Sequence, residues 1–136
     1  MPQTLLYSAP HLDIEYYEQP DYWYFNWKGL QTAESVFAGG ETIYELFVAG
    51  SCGRVLNDNR LVVTSWYGAT EWAGREWFPR MFAAGLTRFA WLVPEALFAE
   101  MSMQRALKVI PPEYEQVRTF DDVDLARQWL LDDDRS

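Results

Sequence analysis

Hydrophobic and polar positions alternate with a period of two through the first part of the chain. Across residues 12–17, Leu12, Ile14 and Tyr16 interleave with Asp13, Glu15 and Tyr17, the signature of a half-buried strand. Gln19-Pro20-Asp21 is a turn signal. Residues 22–28 then place Trp23, Phe25 and Trp27 on one face and Tyr22, Tyr24 and Asn26 on the other, an aromatic pattern that suits a strand covered on both sides. Two such runs across a short turn predict an antiparallel hairpin, with residues 5–7 as a further short edge strand.

After Gly29 the period lengthens to about 3.6 residues. Thr32 is a candidate cap for a helix whose stripe is Val36, Gly40, Ile43 and Phe47, flanked by Phe37, Tyr44 and Val48 and stopped at Gly50. Gly39-Gly40 costs this helix about 1 kcal/mol per glycine relative to alanine. Close packing of helix on sheet is the expected compensation, and approach of a ligand to the backbone is the other reading. A short buried strand around Val55 and Leu56 follows, which the polar run Asn57-Asp58-Asn59-Arg60 is expected to end. Leu61 to Thr64 is too short to classify.

Residues 70–84 read as a helix with Glu71–Arg75 and Glu76–Arg80 as i,i+4 pairs and Gly85 as its stop. Pro79 should kink it, because proline removes the hydrogen bond to the Arg75 carbonyl. Residues 88–93 form the next strand; Pro94 suits a helix start, and Ser102 is a candidate cap for a second turn through Leu107. Pro111-Pro112 breaks that segment, and residues 114–120 alternate as a peripheral strand. In the last helix Asp121 is the expected cap, Asp122 and Asp124 face the helix dipole, and Phe120 is placed to staple to Leu125. Its inner face is Val123, Ala126 and Leu130, joined by Leu125 and Trp129. The alternation of strands and helices predicts an α/β fold: a single open, mostly parallel mixed sheet with an antiparallel N-terminal hairpin and helices packed on it. One domain over 1–136, with its core at about 12–131, is expected.

Composition narrows the function. The chain of 136 residues is 49% hydrophobic, enough for a core, and carries a formal charge of −9 with a pI near 4.5. That balance argues against a nucleic-acid partner, which needs a basic footprint, and against docking on an anionic membrane. A lone Cys52 and a lone His11 exclude an intrachain disulfide and a Cys/His zinc cluster. Any Ser-His-Asp or Cys-His arrangement would have to use His11, which follows a proline near one end of the chain; Cys52 reads as a packed thiol. Glu95 with Glu100, or Glu113 with Glu115, are carboxylate pairs of the kind that twenty acidic residues supply by chance. Nothing implies a cofactor or a metal. The N-terminus lacks a signal-peptide pattern, no run approaches the roughly 18 apolar residues of a membrane span, and cytoplasmic localisation is expected. Asp132-Asp133-Asp134 reads as a solvated end.

The most distinctive polar cluster is Asn57-Asp58-Asn59-Arg60, leaving a buried strand where α/β sheets tend to bind ligands; Asp58, Asn59 and Arg60 are singled out from it, with Trp66 and Trp72 following. These five residues are the candidate binding site. Trp77 and Phe78 read as helix-on-sheet core, and neither Ala38-Gly39-Gly40 nor Ala49-Gly50-Ser51 has the context of a phosphate loop.

Three stretches carry a resemblance: Val55-Leu56-Asn57-Asp58-Asn59-Arg60; Trp72 through Glu76-Trp77-Phe78-Pro79-Arg80 to Ala84-Gly85-Leu86; and Phe120-Asp121-Asp122 to Trp129-Leu130. With the order of elements, they resemble the SpoIIAA-like bacterial branch of the STAS domains, related in shape to the CRAL-TRIO lipid-binding proteins. The resemblance implies a regulatory or ligand-binding fold without an established catalytic centre. Anti-sigma-factor antagonists of the wider family are switched by phosphorylation of a serine near the start of the helix after the central strand. Here Asn59 and Arg60 follow the strand, and the nearest hydroxyls, Thr64, Ser65 and Thr70, lie farther on, so no such switch carries over. The leading expectation is a non-enzymatic module binding a protein or a small apolar or planar ligand, with a homodimer open. A small-molecule or lipid carrier with an aromatic-lined pocket is the alternative, and a small hydrolase-type enzyme the third.

Overall fold

The computed structural model describes residues 3–132, so Asp133 and Asp134 of the acidic end lie outside it. Six strands hydrogen-bond in the order the chain makes them: β1 Gln3–Ala9, β2 Leu12–Tyr17, β3 Tyr22–Gly29, β4 Arg54–Val62, β5 Arg88–Leu92 and β6 Val117–Phe120. The first three are antiparallel, and β3 to β6 run parallel. This is the predicted mixed sheet, with β1 longer than the short edge strand expected.

Alternation sorts the strand residues between two layers. Trp23, Phe25, Trp27, Val55, Phe89 and Trp91 pack on one side with Ile43, Phe47, Trp77, Phe78 and Met103. Those partners come from α1 (Ala33–Ala49), a π-helical stretch (Ala73–Trp77) between α2 (Thr70–Trp72) and α3 (Phe78–Ala83), and α4 (Leu97–Val109). Successive right-handed crossovers between neighbouring strands put their helices on one face. The opposite face buries Tyr22, Leu56, Ala90 and Leu92 beneath Ala126 and Leu130 of α5 (Val123–Leu130).

Thr32 caps α1 as predicted, in a reciprocal capping box with Ser35. The glycine pair is explained by packing. A Cβ at Gly39 would lie 2.6 Å from Trp27 Cη2, and one at Gly40 2.7 Å from Trp72 Cη2. The Gly40 carbonyl also accepts a 2.9 Å hydrogen bond from Trp77 Nε1.

Elsewhere the sequence reading is corrected. Asn57 and Asp58 do not end β4. They pair with Phe25 and Asn26 on one side and Trp91 and Leu92 on the other, so two neighbouring strands hold extended a segment whose composition favours a turn. The 70–84 helix does not simply kink at Pro79. The turn before it widens to π geometry, with the Phe78 N–H bonded to the Ala73 carbonyl, and Pro79 then sits in the first turn of α3, where its missing N–H is tolerated. Arg75 pairs with Glu71 as expected, but Arg80 pairs with Glu41 rather than Glu76. β6 starts only at Val117; Tyr114 leaves the predicted strand and stacks on Phe82 at 4.1 Å. Ser102 lies buried inside α4 and caps nothing. In α5 the cap is Asp122, whose carboxylate accepts from the Asp124 and Leu125 N–H groups, not Asp121. Leu125 is 55% exposed, and Phe120 packs on Trp129 instead of stapling to it.

Candidate functional site

The five candidate site residues do not form one cluster. The period of the strand sends Asp58 to the α5 side of the sheet, where only 2% of its surface is exposed, and Asn59 to the side covered by α1–α4. A register shift between Asn26 and Lys28 of β3 sets four residues of β4, Asp58 to Leu61, against three, and this bulge brings Val62 to the same helix-covered side as Asn59.

On the α5 side, Asp58 accepts hydrogen bonds from Tyr24 Oη at 2.6 Å, from Arg60 Nε and Nη2 at 3.0 and 2.9 Å, and from the Arg60 backbone N–H at 3.0 Å. Burial works against the carboxylate charge, but the Arg60 guanidinium and the Tyr24 hydroxyl outweigh it and hold the Asp58 carboxyl below its ordinary range. Burial and the same carboxylate push the Tyr24 hydroxyl well above its usual value. Asp58, Tyr24 and Arg60 satisfy one another.

Asn59, Trp66 and Trp72 come together on the other side, at the carboxyl ends of the parallel strands, the end at which α/β sheets tend to bind ligands. With Trp27, Trp77 and Trp91 the two tryptophans wall a cavity of about 50 Å³ that also meets the amide side chains of Gln31, Asn57 and Asn59. For scale, an apolar cavity of ~150 Å³ takes one benzene. Gly40 lines the cavity as well, so the glycine that lets Trp72 and Trp77 close on α1 also shapes the pocket.

The amides are ordered by donors. Trp27 Nε1 donates to Asn57 Oδ1 at 3.0 Å, and Asn57 Nδ2 donates to Asn59 Oδ1 at 3.3 Å. Gln31 donates to the carbonyls of His11 and Lys28 and accepts from Ser35 Oγ. Trp91 Nε1 is buried and has no partner among the described residues. Among the described residues, no acidic, basic, histidine, cysteine or tyrosine side chain lines the cavity.

Sequence reasoning missed Gln31, Trp27 and Trp91 as cavity residues, and it read Asn57 in the polar cluster without assigning it to the site. The amides at 31 and 57 could have been found as polar positions on otherwise apolar faces. It also missed Ser102, which is fully buried in α4 and accepts from the Trp66 backbone N–H at 2.9 Å, with Ser65 Oγ at 3.2 Å. Ser102 thereby positions the wall residue Trp66. Ser102→Ala should cost about 1–3 kcal/mol, the range for stranding a buried donor. Chemical denaturation measures this, and a change below about 0.5 kcal/mol would show that the tie is idle. The hydroxyls of Thr64, Ser65 and Thr70 are all engaged in hydrogen bonds. Cys52 is removed from the cavity; burial pushes its thiol up, and it contacts the Asp21 carbonyl at 3.4 Å. His11 stands beside Trp27, with ring centroids 6.5 Å apart, and its Nε2 is buried without a partner among the described residues.

No protein-family model and no curated protein matches the chain. A solved structure does: an uncharacterised protein from the DUF3478 family with a SpoIIAA-like fold, from Shewanella loihica PV-4. It superposes with a TM-score of 0.55 at 20% identity, over 92% of this chain and 98% of that one. At that identity the likeness speaks to fold alone, and the fold of this chain is SpoIIAA-like.

Proposed function

We propose that this chain, as one SpoIIAA-like domain over 1–136, is a non-enzymatic binding module that takes a small ligand in the tryptophan-walled cavity. One observation supports this most: aromatic walls meet buried amides there, and no lining side chain can exchange a proton near neutral pH or attack as a nucleophile. Apolar walls with a few placed polar groups make a ligand pocket, whereas acid–base chemistry needs a titratable group within reach. The volume of about 50 Å³ favours a small molecule over a lipid tail in the carrier alternative. Acidic balance speaks against a nucleic-acid partner, and among the described residues no helix is long and apolar enough to cross a membrane. A free thiol fits the cytoplasm we assign it to.

A protein partner is the second reading. Leu97, Phe98 and Met101 at the start of α4 are exposed, as is Tyr67, and the same helix holds Trp66 through Ser102. A partner seated on α4 would therefore touch an element that forms the cavity wall.

The test is a screen of small neutral and charged compounds read by tryptophan emission, beside native mass spectrometry of freshly purified protein. We expect a saturable emission change that disappears in Ala73→Leu, which fills the cavity. A screen that leaves emission unchanged, with no co-purified guest, refutes the small-ligand reading. A ligand-free dimer would favour the second.

A further inference from the structure

The cavity's polar side chains form a one-way chain of hydrogen bonds. Trp27 Nε1 can only donate, so the Asn57 atom it meets at 3.0 Å must be the carbonyl oxygen. Asn57 therefore turns its NH2 group toward Asn59, which receives it on Oδ1 at 3.3 Å. The orientation of the Asn59 amide follows, and its own NH2 is the free end of the chain. Among the described residues that group makes no hydrogen bond, although Asn59 is only 4% exposed. Trp91, on the neighbouring strand, adds an N–H that is fully buried and has no partner among the described residues. Asn57 Oδ1, Asn59 Oδ1, Gln31 Oε1 and the Gly40 carbonyl each already receive a donor, whereas the Asn59 NH2 and the Trp91 N–H meet no acceptor among the described residues.

Resting on the cavity as the ligand site, we infer that the ligand is a compact, neutral hydrogen-bond acceptor, of the carbonyl or nitrile class, received by the Asn59 amide. A chain of aligned donors polarises its terminal N–H and strengthens the bond it makes. An apolar guest of the same shape would cover that donor without pairing it, which is costly, so an acceptor is favoured. An anion is disfavoured because no Lys, Arg or His lines the cavity to replace its lost hydration. Set against the ~150 Å³ that takes the six carbons of a benzene, the volume of about 50 Å³ limits a guest to about two or three heavy atoms. Trp27 and Asn57 are positioning residues: they fix which way the Asn59 amide faces.

Three probes of similar size separate the possibilities. Acetonitrile is a neutral acceptor, propyne has its shape without a strong acceptor, and formate is an anion. In ¹⁵N-labelled protein the Asn59 side-chain NH2 signals and the indole N–H signals report binding. Acetonitrile should shift the Asn59 signals saturably, propyne should bind about tenfold more weakly, the value of one hydrogen bond, and formate should not saturate. Asn59→Leu should erase the preference for acetonitrile over propyne. Trp27→Phe, which frees Asn57 to flip, should reduce it while Asn59 is still present. The comparison of acetonitrile with propyne on the unmodified protein decides the matter even if a variant fails to fold. Equal binding of propyne and acetonitrile, or stronger binding of formate, overturns the acceptor inference and leaves the cavity reading standing. If none of the three perturbs any cavity signal, both fall.

Discussion

Trp77→Ala is expected to lower stability by about 3–5 kcal/mol, the range for truncating a large buried aromatic. Trp77 is 6% exposed, and its ring meets Phe78 and Phe89 edge-on at centroid distances of 5.0 and 6.1 Å. Its Nε1 donates to the Gly40 carbonyl, so it joins the π-helical stretch to α1 across the cavity. Alanine would remove the aromatic contacts and the indole's hydrogen bond to the Gly40 carbonyl and enlarge the cavity at once. Urea denaturation measures the loss, and a value below about 1.5 kcal/mol would mean that α1 and the π-helical stretch are not coupled in this way.

Arg60→Ala should cost about 1–3 kcal/mol at neutral pH, less than the ~3–5 of a fully buried pair, because the Arg60 side chain is itself 42% exposed. The loss falls on Asp58, which stays buried with only Tyr24 and a backbone N–H to hold its charge. The pH dependence follows from the sign of the shift. The Asp58 carboxyl titrates below its ordinary value of 3.8 in the folded protein, so its contribution is complete above about pH 4. That contribution is lost as pH falls through the folded value. In Arg60→Ala, burial is opposed by less, the carboxyl moves up, and acid relieves the buried charge. The stability gap between parent and variant should therefore be widest at neutral pH and narrow in acid. A gap independent of pH between 7 and 3 would show that Asp58 does not carry the effect.

Local signals made most of the fold legible. The alternation in β2 and β3, the Thr32 cap and the Gly50 stop of α1, and the order of strands and helices all come from interactions within a few residues along the chain. The features that escaped are non-local. Asn57 to Arg60 have turn composition, yet Trp27, Tyr24 and the flanking strands hold them in β4. Once the strand is seen to continue, its period separates Asp58 from Asn59, so the candidate site was legible as a list of residues but not as two opposite faces. Ser102 looks like a cap because a hydroxyl at a possible helix start usually is one; the N–H it serves belongs to Trp66, 36 residues earlier. The π turn before Pro79 and the bulge in β4 are backbone adjustments that composition does not announce.

Adjacent residues on opposite faces supply the most direct test that the helix-covered side of the sheet holds the binding site. Asn59→Ala and Arg60→Ala can be titrated with acetonitrile under identical conditions, with unfolding curves recorded for both. Asn59→Ala should weaken binding about tenfold, and Arg60→Ala, although the less stable protein, should stay within about twofold of the parent. Loss of binding in Arg60→Ala with full binding in Asn59→Ala would place the site on the α5 side of the sheet and contradict the account.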